Sequence, residues 1–185
     1  MNWRRVNYPD ADSALSPGLT DPEIATLTQD IPFELPLEVC ELFQCCHGDH
    51  VQLDPSLVLH SLKSALEQSL YSNWMKGDKW ASSDYALPIF HGYGKDFYYV
   101  LCDKEQKDKA PVWCVFAGEE PRMYAASLTS LILTISECYE RGAYYVYFYE
   151  ESGDFGLEED FEKSEKIFQK YNPEQMDTWG YLHKD

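Results

Sequence analysis

The stretch YALPIFHGYGKDFYYVLCDKEQKDKAPVWCVFAGEEPRMYAAS, residues 85–127, decides the fold. Short runs rich in Tyr, Val, Phe and Trp alternate with HGYGKD, DKEQKDKAP and AGEEPR. Aromatic and β-branched residues suit a pleated, half-buried surface, while Gly, Pro and charge clusters suit turns. The pattern predicts strands near 86–91, 96–102, 111–117 and 121–125, joined as an antiparallel meander.

The segments on either side read as helix. In TDPEIATLTQD, Thr20 or Asp21 can cap, Pro22 fits the first turn and Glu23 suits the dipole. IPFELP breaks that helix twice. Pro36 then opens a second, with Val39, Leu42, Phe43 and Cys46 on one face and Gly48 as a left-handed terminator. A third runs from about Ser61, its cap, to Met75, with Leu62, Leu66 and Leu70 as its stripe. After the meander, SLTSLILTISECYERG gives a helix from Ser127 to Gly142. AYYVYFYEE reads equally as a strand or as more helix. Residues 150–165 hold eight acids and one lysine. A last helix, about 157–171, puts Leu157, Phe161, Phe168 and Tyr171 on one stripe before Asn172 and Pro173 stop it. The expectation is a single α+β domain over 1–185, with an antiparallel β-meander of four to six strands flanked by N-terminal and C-terminal helices. Residues 1–19 read as a loose arm, 20–141 as the core and 142–185 as an acidic helical extension.

The chain has 185 residues, enough for one sizeable core. Its net charge of −17 argues against nucleic acid and anionic membranes, both of which need a cationic face. A basic protein partner is permitted, since charge complementarity steers encounter. The start MNWRRVNYPDADSALSPG has two arginines but no apolar run after them. The six cysteines include no C-x-x-C pair and sit mostly in apolar runs, which suits reduced, buried thiols in the cytoplasm. The expected state is a monomer or weak dimer.

Four clusters invite a chemical reading. ELFQCCHGDH, residues 41–50, holds Cys45, Cys46, His47, Asp49 and His50. A structural zinc site wants two separated ligand pairs, and nothing downstream completes this one. The end of a helix accounts for the same residues. Cys102 and Cys114 lie in strands among apolar neighbours, where a thiol is inert, and His91 is not placed against either. HGYGKD lacks the spacing of a phosphate loop and reads as a hairpin turn at Gly92 and Gly94. The carboxylates of LEEDFEKSE read as a solvated helix face with Glu159–Lys163 and Glu162–Lys166 pairs. Spacing therefore yields no catalytic set, no metal ligands and no cofactor.

The order of these pieces resembles the SUKH superfamily, which includes the fungal Smi/Knr regulators and many bacterial immunity proteins. Leu35-Pro36 and His47-Gly48 match the family's opening and closing of its second helix, with His in place of the usual Asn. Leu87-Pro88-Ile89 before Gly92 and Gly94 is similar to its LPI strand and turn, Pro111-Val112 to its later strand, and Ser127–Cys138 to the helix after the meander. The likeness spans about residues 20–141. It implies a non-enzymatic role: stoichiometric binding of a basic partner, such as a nuclease domain of a polymorphic toxin. The residues expected at that contact are the turn positions Asp78, Asp84, Tyr93, Asp96, Glu119 and Glu120. A regulatory adaptor of the Smi/Knr type is the alternative, and an enzyme with a cryptic Cys/His or carboxylate site is the third reading.

Overall fold

The computed structural model describes residues 3, 7, 16–48, 51–71, 85–92, 96–102, 108–116 and 119–182. Six strands form one antiparallel sheet in chain order: β3 (Val51–Gln52), β4 (Val58–Leu59), β5 (Ala86–His91), β6 (Asp96–Leu101), β7 (Val112–Phe116) and β8 (Arg122–Ala125). The four strands read from residues 85–127 form its major part, and β3–β4 add two short rungs beside β5. Pro88 has no N–H for the ladder, and a bulge between Pro88 and Phe90 accommodates it.

The helices are α1 (Asp21–Thr28), α2 (Leu37–Cys45), α3 (Leu62–Tyr71), α4 (Leu128–Glu140), α5 (Phe161–Tyr171) and α6 (Met176–Leu182). Their starts follow the capping residues. The Thr20 N–H donates to Glu23 Oε2 at 2.8 Å, and Ser127 Oγ accepts from the Ser130 N–H at 3.0 Å. Gly142, at φ +65°, supplies the left-handed residue just past α4. Val39, Leu42 and Phe43 of α2 pack with Leu128, Leu131 and Ile135 of α4 in the main core. Glu38 Oε2 ties that layer together by accepting from the Ala110 and Leu128 N–H groups at 2.7 and 3.2 Å.

The C-terminal region departs most from expectation. AYYVYFYEE forms a strand, β9 (Tyr144–Tyr149), which turns back as β10 (Asp154–Glu159). Leu157 therefore lies on a strand and not on a helix stripe, and α5 begins only at Phe161. Lys163 pairs with Asp160 at 2.8 Å, because Glu159 is held in β10, while Lys166 pairs with Glu162 at 2.7 Å. Asn172 fixes the helical part that follows. Its Oδ1 accepts from the Ala126 N–H and the Ser130 hydroxyl at 3.0 and 2.7 Å, and its Nδ2 donates to Thr134 Oγ1 at 3.1 Å.

Two expectations near the N-terminus are also corrected. Gly48 does not end α2 in the left-handed region. The helix stops at Cys45, Cys46 is extended, and Gly48 sits at φ 158°. The reason is pairing: Cys46–His47 forms β2, which lies antiparallel to β1 (Ser16–Pro17). The end of the expected loose arm is thereby tied to the end of α2.

Candidate functional site

The β9–β10 ribbon is separate from the six-stranded sheet and carries an unusual set of side chains. Its register pairs Tyr144 with Glu159, Val146 with Leu157 and Phe148 with Phe155 on one face. On the other face Tyr145, Tyr147 and Tyr149 stand opposite Glu158, Gly156 and Asp154. The base is sunk in the core, where Tyr144 and Leu157 are buried. It is pinned by the Ala143 N–H to the Cys138 carbonyl and the Asp160 N–H to the Ala143 carbonyl, both 2.8 Å.

Away from the base both faces are wet. Tyr147 is 50% exposed and Phe155 57%, with Tyr145, Phe148 and Tyr149 also exposed. The rings are mutually ordered: Phe148 and Phe155 lie 4.9 Å apart, and Tyr147 and Tyr149 meet edge-on at 5.1 Å. The Tyr149 hydroxyl donates to the Glu158 carboxylate and so crosses the ribbon over Gly156. A Cβ at Gly156 would come within 2.6 Å of the Tyr149 ring. Gly156→Ala is therefore expected to swing Tyr149 off the ribbon with little loss of stability, since the ring can move into solvent. Loss of the Tyr147–Tyr149 ring contacts in an NMR spectrum, at a nearly unchanged Tm, is the expected result. Gly153, at φ +74°, closes the turn among Glu150, Glu151 and Asp154. The outcome is an exposed aromatic surface with an acidic border. Aromatics anchor protein interfaces because they bury large areas with few rotors to freeze.

The residues expected at a partner contact fare unevenly. Asp78, Asp84 and Tyr93 lie outside the described residues. Asp96 is corrected: it is 9% exposed and its carboxylate folds over Gly92, where a Cβ would lie 1.8 Å from Oδ2. It cannot face a partner. Glu119 and Glu120 are exposed, and Glu119 accepts from the Tyr181 hydroxyl at 2.6 Å, with Arg122 over the Tyr181 ring. No ribbon aromatic was singled out from the sequence, although the period-two tyrosines at 145, 147 and 149 were the available signal.

The clusters that invited chemistry are dispersed. Cys46 is buried and Cys45 exposed, and Asp49 and His50 lie outside the described residues. Burial pushes the thiols of Cys102 and Cys114 up to about 12, far from a reactive thiolate. Among the described residues, no group of three or more His, Cys, Asp or Glu side chains is placed to hold a metal ion. Also among them, no helix is long and apolar enough to cross a membrane.

Among the described residues the carboxyl that burial raises furthest is Asp54, 3% exposed beneath the base of the ribbon. Burial raises it from 3.8 to about 6, against the hydrogen bonds it accepts from the Ser56 and Leu57 N–H groups at 2.7 and 2.6 Å. Glu159, also raised by burial, adds its charge to the same interior. These bonds close the turn into β4, and the carboxyl is sealed from solvent, so its role here is structural. No known protein-family model matches the chain, and no curated protein matches it.

Proposed function

We propose that this chain is a non-enzymatic binding domain of the immunity type, which neutralises a basic toxin domain in the cytoplasm by covering it one to one. The aromatic β9–β10 ribbon with its acidic border carries the reading. Its rings supply the desolvated anchor, and Glu150, Glu151, Asp154 and Glu158 supply attraction for Lys and Arg on the partner. The charge of −17 favours a basic partner, and six free cysteines suit a reducing compartment. The order of helices and meander strands resembles the SUKH superfamily, in which immunity proteins are common.

The test begins with capture of a partner from the source organism and proceeds to rates. Attraction between exposed charges is screened over ~10 Å at 0.1 M salt. The association rate is expected to fall at least about tenfold between low and high salt, with dissociation nearly constant. One equivalent of the chain is expected to abolish the captured partner's toxicity. A salt-independent association rate contradicts the electrostatic part. Capture of a non-toxic host protein instead assigns the chain to the Smi/Knr kind of adaptor.

A further inference from the structure

A second surface lies away from the ribbon. Between α2 and α4 runs an apolar groove of about 560 Å³, floored by Leu42, Leu128, Ile132 and Ile135. That volume falls within the range of small-molecule sites, about 300–1,000 Å³. Two aromatic rings meet in its wall: Trp3 and Tyr139 lie 5.1 Å apart with their planes at 43°. The Tyr139 hydroxyl donates to the Leu53 carbonyl at 2.7 Å, which fixes that ring in place. Glu41 of α2 and Glu140 of α4 are exposed along the groove, and none of its described lining residues is Lys or Arg. Among the described residues neither carboxylate makes an ion pair. The third carboxylate of the lining, Glu38, is already held by the Ala110 and Leu128 N–H groups.

We propose that this groove binds a small organic cation with an apolar body, of the alkylammonium or arylammonium class. The floor of Leu and Ile side chains takes up the body, because removing apolar surface from water is the main driving force for binding in such a site. The ring faces of the wall carry negative quadrupole charge and attract an ammonium group. Glu41 and Glu140 add attraction of the same sign, and no described cation competes for them. An anion of the same shape meets repulsion, and a neutral molecule gains from burial alone. A second copy of the chain suits the groove poorly, since it brings another surface of a molecule charged −17 against these carboxylates. The proposal is independent of the ribbon and of any toxin partner.

The probes are octyltrimethylammonium, octanol, octanoate and tetramethylammonium, titrated calorimetrically into the full chain. Octyltrimethylammonium is expected to bind one to one with a Kd on the order of 0.1 mM. Octanol is expected to bind at least about fivefold more weakly, octanoate more weakly still, and tetramethylammonium at least about a hundredfold more weakly, because it lacks the buried chain. Ser136 is an exposed residue of α4 on the groove, so Ser136→Trp fills the space without touching the core and is expected to abolish binding. Glu41→Gln with Glu140→Gln is expected to weaken octyltrimethylammonium about fivefold and leave octanol unchanged. Melting curves check that both variants fold. No binding, binding that survives Ser136→Trp, or octanoate binding as tight as that of the cation overturns the proposal. An unchanged affinity in the Gln pair overturns the charge match. Tighter binding of an amphipathic Leu–Lys peptide, lost in Ser136→Trp, gives the groove to a protein segment and overturns the small-cation proposal. A concentration-dependent elution volume that Ser136→Trp abolishes gives it to a second copy and does the same.

Discussion

Phe168→Ala is expected to destabilise the protein by about 4 kcal/mol, within the range for deleting a fully buried phenyl ring. Phe168 is fully buried in α5. Its ring stacks on Trp179 at 4.6 Å and tilts against Tyr124 of β8 at 5.5 Å. The side chain therefore joins α6 to the meander through α5. Asn172 closes the same junction with three hydrogen bonds, to Ala126 just before α4 and to Ser130 and Thr134 within it. A domain of this size has only about 5–15 kcal/mol of stability, so the variant should be marginal near 37 °C. Urea unfolding is the check. A loss below about 1 kcal/mol would mean that residues 160–182 are an appendage and not part of the core.

The second large effect concerns Asp54. An acid whose folded pKa lies above its unfolded value holds its proton more tightly in the folded state. The stability it contributes is complete below pH 3.8 and is lost as pH rises through about 6. The gap between those values corresponds to ~3 kcal/mol. The groups around it share this interior: Glu159, the hydroxyls of Tyr98, Tyr124 and Tyr144, and the Cys138 thiol. Burial raises all of them, so none supplies a compensating positive charge. Asp54→Asn keeps an oxygen to accept from Ser56 and Leu57 and removes the buried charge. The variant is expected to be up to ~3 kcal/mol more stable than wild type at pH 7.5, and equal to it near pH 4. Glu159, raised by the same burial, leaves a fall in the same direction in both proteins. A variant that is less stable at pH 7.5 would contradict the account of this carboxyl.

The meander was legible because its signals are local. Each strand between residues 86 and 125 is a run of Tyr, Val, Phe or Trp bounded by turn residues, and the observed limits differ by at most a residue. Ser127 and Gly142 bounded α4 for the same reason, since capping depends on a few adjacent atoms. What failed depended on distant partners. Asp96 reads as a turn acid, but it opens β6 and Gly92 leaves room for its carboxylate. Gly48 reads as a helix terminator, but Ser16–Pro17 draws the chain after Cys45 into a strand. Glu159 reads as one of many solvated acids, but the Tyr144–Glu159 pairing carries it to the buried base of the ribbon. Residues 144–149 were ambiguous because nearly every side chain is aromatic, which blurs the alternation that separates strand from helix.

The ribbon is the centre of the functional account, and the dissociation constant of the captured partner for ribbon variants tests it most directly. Tyr147→Ala and Phe155→Ala remove exposed rings from opposite faces of the ribbon, so both should fold with nearly the wild-type Tm. At least one of them is expected to weaken partner binding by about 30-fold or more, the loss of a central aromatic anchor, mainly through faster dissociation. Wild-type affinity in both, and in the double variant, would contradict the claim that the β9–β10 ribbon is the contact surface.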